Sequence, residues 1–174
     1  ILNTAARSMG LEPVIALMPE PSHTQANPPE QVREAMLASD ICVMATSKAS
    51  VHSDPGIEAQ KQGIGLIAME EITPQILAGV ASGADYDAMF ELGKVFEEKI
   101  NAGKTMTVNT PAGTDLQASI ADRSGFSVAG KIDDHPGLPE FRIAAFPDGE
   151  ASISPVEGTS NGTIVWDTSM HEIG

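Results

Sequence analysis

Loop 46–53 reads Thr46-Ser47-Lys48-Ala49-Ser50-Val51-His52-Ser53 and concentrates hydroxyls, one ammonium and one imidazole. Hydroxyls and an ammonium suit an anionic or polar substrate, which makes Ser47 and Lys48 candidate substrate-binding residues. An imidazole exchanges a proton near neutral pH, so His52 is the candidate catalytic acid–base group. The same residues also fit a polar turn in which Ser53 or Asp54 caps the following helix. A second stretch, Phe146-Pro147-Asp148-Gly149-Glu150, uses a proline turn and a glycine to bring one carboxylate to the entrance of a strand. Gly149 is expected to aim Glu150 inward. Carboxylate oxygen suits divalent metals, which need three or more protein ligands, so Glu150 is a candidate metal ligand and not a site by itself. A solvated turn glutamate is the other reading.

Asp133-Asp134-His135 has metal-ligand residue types, although Pro136-Gly137 fits a simple acidic loop equally well. Glu157 is equally compatible with a structural role. His23, His52, His135 and His171 each stand alone at loops or element ends, where solvated side chains are expected. Only together do they point to a site, because ligands of α/β sheets bind at strand-end loops. No G-x-S-x-G, HExxH, paired CxxC, Walker loop or GxGxxG occurs.

The elements that must position these residues alternate in the first part of the chain. Apolar runs at 13–18, 41–45 and 64–69 read as strands buried on both faces. Helices are expected over 2–9, from Pro28 to Ser39 (inner stripe Val32, Ala35, Met36 and Leu37), from Asp54 to Gly63, and from Thr73 through Val80 to Gly83. A longer helix follows from Asp85, with Met89, Leu92, Phe96 and Ile100 at spacings of three and four, and ends at Gly103. Strand–helix alternation predicts a parallel sheet. Beyond Gly103, residues 105–109 and 115–121 alternate around the turn 110–114 and read as a hairpin, with Leu116, Ala118 and Ile120 on one face. Residues 127–138 read as loop, and 152–154 and 162–166 as further strands. The expected class is α/β: a parallel-sheet α/β domain over 1–102, followed by part of a β-rich (α+β) domain over 103–174. Both ends read as cut from a longer polypeptide.

The chain has 174 residues, a net charge of −14, and 24 acidic against 10 basic side chains with no basic cluster. Such a surface repels nucleic acid and anionic membranes. No apolar run approaches the roughly 20 residues of a bilayer span. Cys42 has no intrachain partner, which fits a reducing, cytoplasmic setting.

Thr110-Pro111-Ala112-Gly113-Thr114-Asp115-Leu116, then Phe146-Pro147-Asp148-Gly149-Glu150, then the stretch from Ser154-Pro155-Val156-Glu157-Gly158 through Ile164, together resemble the aminopeptidase T (thermophilic aminopeptidase) superfamily. That resemblance implies a longer parent, commonly a homodimer, acting on a peptide or small molecule. In the peptidase branch Glu150 would be the first ligand of a two-metal site holding zinc, cobalt or manganese, with the remaining ligands later in the family's length. Residues 156–162 resemble at least as closely the branch of 2,5-dihydroxypyridine 5,6-dioxygenase, which uses one non-haem iron(II). There His52 would be the acid–base group and His135 would lie near the substrate. The expectation of first rank is a portion of a metal-dependent aminopeptidase-like hydrolase. The alternatives are the ring-opening dioxygenase and a non-catalytic binding segment. With one carboxylate as its metal ligand, the segment alone is expected to be inert.

Overall fold

The computed structural model describes residues 1–79, 83–135, 138 and 140–167. The chain is a mixed α/β protein, and its described residues form one parallel sheet and two antiparallel ones. Its elements are α1 (Leu2–Ser8), α2 (Glu30–Leu37), β1 (Ile41–Met44), α3 (Asp54–Lys61), β2 (Gly65–Ala68), α4 (Pro74–Ala78) and α5 (Tyr86–Ala102), then β3 (Thr105–Asn109), β4 (Asp115–Ser119), β5 (Phe126–Val128), β6 (Ile143–Ala145), β7 (Glu150–Ser152) and β8 (Asn161–Thr163). No helix among the described residues is long and apolar enough to cross a membrane.

Local chemistry sets most helix starts. Ser53, Thr73 and Asp85 each accept a backbone N–H of the first turn (Gly56, Ile76 and Ala88), satisfying donors the helix cannot. Pro55 and Pro74 stand in first turns, where their missing N–H costs nothing. The helix from Thr73 is shorter than expected, ending at Ala78; Val80 lies outside the described residues.

The parallel sheet has the order β1-β2-β6, with Cys42 opposite Leu66 and Leu66 opposite Ile143. Its core gathers Met36 of α2, Ala59 of α3, Met44, Val51, Leu66, Ala68 and Ile143. Leu66 on the central strand is fully buried. β1, expected to be buried, is an edge strand that leaves Ile41 and Val43 exposed. Residues 13–18 form no strand: Val14, Ile15 and Leu17 are exposed because nothing among the described residues pairs with them. An apolar run has strand propensity, but a strand exists only where a ladder partner satisfies its N–H and C=O groups. Ile143–Ala145, which has no conspicuous sequence pattern, supplies the third strand instead.

The hairpin β3–β4 forms with Met106 opposite Ala118, and β8 adds to β4. Ala118 and Ile120 are buried on one face as expected. β5 and β7 pair antiparallel, so Phe126–Val128 is strand at the start of the expected loop. β7 begins at Glu150, two residues earlier than the run at 152–154, and β8 covers only Asn161–Thr163.

α5 packs on β5 and β7 by a face its apolar spacing does not reveal. Leu92 and Phe96 are exposed, Met89 and Ile100 are half-buried, and the buried residue is Glu97. Gly93 explains the approach: a Cβ there would stand 3.1 Å from both the Cβ and Oγ of Ser127 on β5. A glycine inside a helix costs about 1 kcal/mol against alanine, and here it admits a neighbouring strand.

Gly162 tests the β4–β8 register. Its φ is +129°, and an added Cβ would fall 2.0 Å from the Asp115 carbonyl oxygen. Gly162→Ala is expected to cost about 2 kcal/mol or more in urea unfolding. An unchanged midpoint would contradict this pairing.

Candidate functional site

The carboxyl ends of β1, β2 and β6 carry three connected segments: loop 45–53, residues 69–73 and turn 146–149. Met69 N–H donates to Met44 O (3.2 Å), Glu71 N–H to Thr46 O (2.8 Å) and Phe146 N–H to Ala68 O (2.9 Å). A groove of about 400 Å³ opens there between Glu70, Glu71, Ile72, Phe146, Pro147 and Asp148.

Loop 46–53 is held from within and from without. Thr46 Oγ1 donates to Lys48 O at 2.7 Å, and Ser53 Oγ to Ser50 O at 2.7 Å. From outside, Gln25 N–H donates to Ala49 O (2.7 Å), His52 N–H to Gln25 Oε1 (2.8 Å) and Asp54 N–H to Asn27 Oδ1 (3.1 Å). Ser50 and Ser53 are buried, Lys48 is half-buried, and Ser47 and His52 are exposed. The capping role of Ser53 and the presentation of Ser47 and His52 therefore coexist, because bonds to buried serines fix the backbone that carries the exposed groups.

A second cluster lies between α5 and the 126–142 region. Oε2 of Glu97 accepts Ser127 N–H at 3.0 Å and Ser127 Oγ–H at 3.0 Å, with Lys94 Nζ at 3.3 Å and His135 Nδ1 at 3.2 Å. Lys94 also pairs with Asp133 at 2.5 Å. The side chains of His135 and Glu97 are 1% and 6% exposed. Phe126 and Phe141, 4.3 Å apart, both meet the imidazole edge to face. His135 is thus not the solvated loop histidine expected from its neighbours.

Burial pushes the Glu97 carboxyl up, but the Ser127 hydrogen bond and the attraction of His135 and Lys94 outweigh it, and the group titrates below the usual range. Asp133 behaves alike: burial raises it, and Lys94 and the Asp134 backbone bring it lower. For Lys94 burial lowers the value, while Asp133 and Glu97 raise it above the ordinary lysine range.

Glu150 opens β7 with its residue exposed, so Gly149 does not aim it inward. Among the described residues no group of three or more His, Cys, Asp or Glu side chains could hold a metal ion. Glu150 by itself does not fit a metal centre. No hydrogen bond or ion pair joins any two of Ser47, Lys48, His52, His135 and Glu150; the pairings in the two clusters run through Gln25, Glu97 and Lys94. Glu157 pairs with Arg123, a structural link, and exposed His23 meets Ser22 Oγ at 2.9 Å. His171 lies outside the described residues.

A family model described as 2,5-dihydroxypyridine 5,6-dioxygenase matches residues 3–170. The chain belongs to the 2,5-dihydroxypyridine 5,6-dioxygenase family. The solved structure of 2,5-dihydroxypyridine dioxygenase from Pseudomonas putida KT2440 matches with a TM-score of 0.60 at 19% identity, covering 88% of this chain and 42% of that one. At that identity the likeness shows the fold. The chain spans less than half the length of that dioxygenase. Comparison with curated proteins finds no match. Membership in the dioxygenase family favours the ring-opening branch over the peptidase expectation, whose carboxylate ligand stands exposed.

Glu97 was not legible as a site residue: with Lys94 at i,i+3 it reads as an ordinary surface ion pair. The available signal was Gly93, a mid-helix glycine marking close approach. Removing the carboxylate in Glu97→Ala leaves the buried His135 imidazole and both Ser127 donors without their acceptor, while Lys94 keeps Asp133, with an expected loss of about 2 kcal/mol. Because Glu97 and Asp133 have depressed pKa values when folded, their contribution is complete above the ordinary carboxylate range and is lost as pH falls through the folded values. The thermal midpoint of the wild type should therefore drop below about pH 4, and Glu97→Gln should blunt that drop. Equal acid sensitivity of the two proteins would contradict it.

Proposed function

We propose that this chain is the substrate-handling portion of a ring-opening dioxygenase acting on a hydroxylated pyridine. The observation that carries this reading is the family match over 3–170, supported by the likeness of fold to a 2,5-dihydroxypyridine dioxygenase. Such a substrate offers hydroxyl groups and a ring nitrogen. Ser47 would donate or accept a hydrogen bond to a hydroxyl, and the Lys48 ammonium would favour its deprotonated form. His52, exposed on a backbone anchored by Gln25, would take the hydroxyl proton. His135, which the resemblance places near the substrate, would contribute an imidazole shielded from bulk water by Phe126 and Phe141.

The resemblance implies one iron(II), which would supply the electrons that activate oxygen. Its ligands belong to the family's later length, and the described residues here do not form its site. A zinc, cobalt or manganese pair on Glu150 has no such support. A cytoplasmic setting and a homodimeric parent remain part of the proposal.

The test is oxygen uptake by the intact protein supplied with iron(II) and 2,5-dihydroxypyridine, beside peptide release with zinc, cobalt or manganese. Oxygen uptake with ring opening is expected, and His52→Ala should lower kcat on the order of 10²-fold. Peptide release without ring opening would restore the peptidase reading, and neither activity would favour a binding segment.

A further inference from the structure

We propose that Glu97 is a positioning residue for His135, holding the proton on Nδ1 so that Nε2 is the nitrogen left to exchange a proton with a substrate. This rests on the reading that His135 serves a substrate.

The geometry leaves little choice of tautomer. An ionised carboxylate has no hydrogen to give, so a nitrogen facing it must be the donor. Glu97 Oε2 lies 3.2 Å from Nδ1 while also receiving both donors of Ser127 and the Lys94 ammonium. These three additional donors keep the buried carboxylate charged, and its lowered pKa agrees. Nδ1 therefore carries hydrogen in both the neutral and the charged imidazole, and gain or loss of a proton falls to Nε2.

The ring cannot readily turn to exchange its nitrogens. Phe141 stands 5.2 Å from it at 83°, and Phe126 6.2 Å away at 75°. The loop bearing the histidine is tied to α5 a second time, through Asp133 and Lys94 at 2.5 Å. Two residues of α5, Lys94 and Glu97, thus grip two loop residues, Asp133 and His135. The neighbouring Arg142–Asp134 pair, at 3.3 Å, involves an exposed aspartate and does not enter the cluster. An imidazole oriented by a third group is the arrangement in which a base is held ready, and outer partners of this kind set both tautomer and ring orientation.

The test reads the nitrogens directly. Protein labelled with ¹⁵N-histidine is examined by long-range ¹H–¹⁵N correlation across a pH titration, with His135 assigned by the loss of its signals in His135→Phe. The wild type should show a pyrrole-type Nδ1 throughout and a pyridine-type Nε2 once the ring is neutral. In Glu97→Leu no acceptor faces Nδ1, so the single tautomer should be lost, with kcat falling on the order of 10-fold at little change in KM. Ser127→Ala keeps the carboxylate and should keep the Nδ1–H form.

A wild-type ring that holds its proton on Nε2 at every pH overturns the proposal. So does a Glu97→Leu ring that stays wholly Nδ1–H. If Glu97→Leu fails to fold, the wild-type and Ser127→Ala spectra decide alone. The tautomer is read without turnover, so its failure overturns the role of Glu97 whatever the activity. Absence of ring opening with the expected tautomer overturns only the dioxygenase reading.

Discussion

A carboxylate keeps its charge inside a protein only when donors replace the water it has lost, and the Glu97 cluster meets that demand with four of them on one oxygen. Each donor comes with a structural consequence. Ser127 brings β5 against α5, so closely that a Cβ at Gly93 would crowd its side chain. His135 and Asp133 bring the following loop to the same helix. Leaving one of its buried polar groups unpaired would cost about 1–3 kcal/mol, so each donor supports the others.

The carboxyl edge of the parallel sheet works by a different division of labour. Its buried groups, Ser50 and Ser53, hold backbone, while Ser47 and His52 remain exposed. Anchoring by Gln25 and Asn27 comes from a segment more than twenty residues earlier in the chain. A loop so fixed would lose little further freedom on binding the proposed substrate. Shielded chemistry at His135 and solvent-facing chemistry at His52 would then serve different proton transfers in the proposed reaction.

Family membership and metal chemistry are separate matters in this chain. The match spans almost the whole sequence, yet the described residues assemble no metal-binding group. An exposed Glu150 at the start of a strand is compatible with the motif around it and still offers one donor where three or more are needed.

Much was legible from residues close in sequence. Ser53, Thr73 and Asp85 announce their helices by capping chemistry, and the alternation of 105–109 with 115–119 around Pro111 and Gly113 predicts the hairpin and its buried face. These depend on φ/ψ preference and on periods of 2 or 3.6 residues, which a short segment carries by itself. Only the tertiary structure decided that 143–145 would join β2 while the more apolar 13–18 pairs with no strand among the described residues. It alone decided that the buried face of α5 would centre on Glu97, not on Leu92 and Phe96, and that His135 would be enclosed. Ladder pairing and burial are properties of two distant segments meeting, and the free energy of a buried charge depends on donors that no local pattern names.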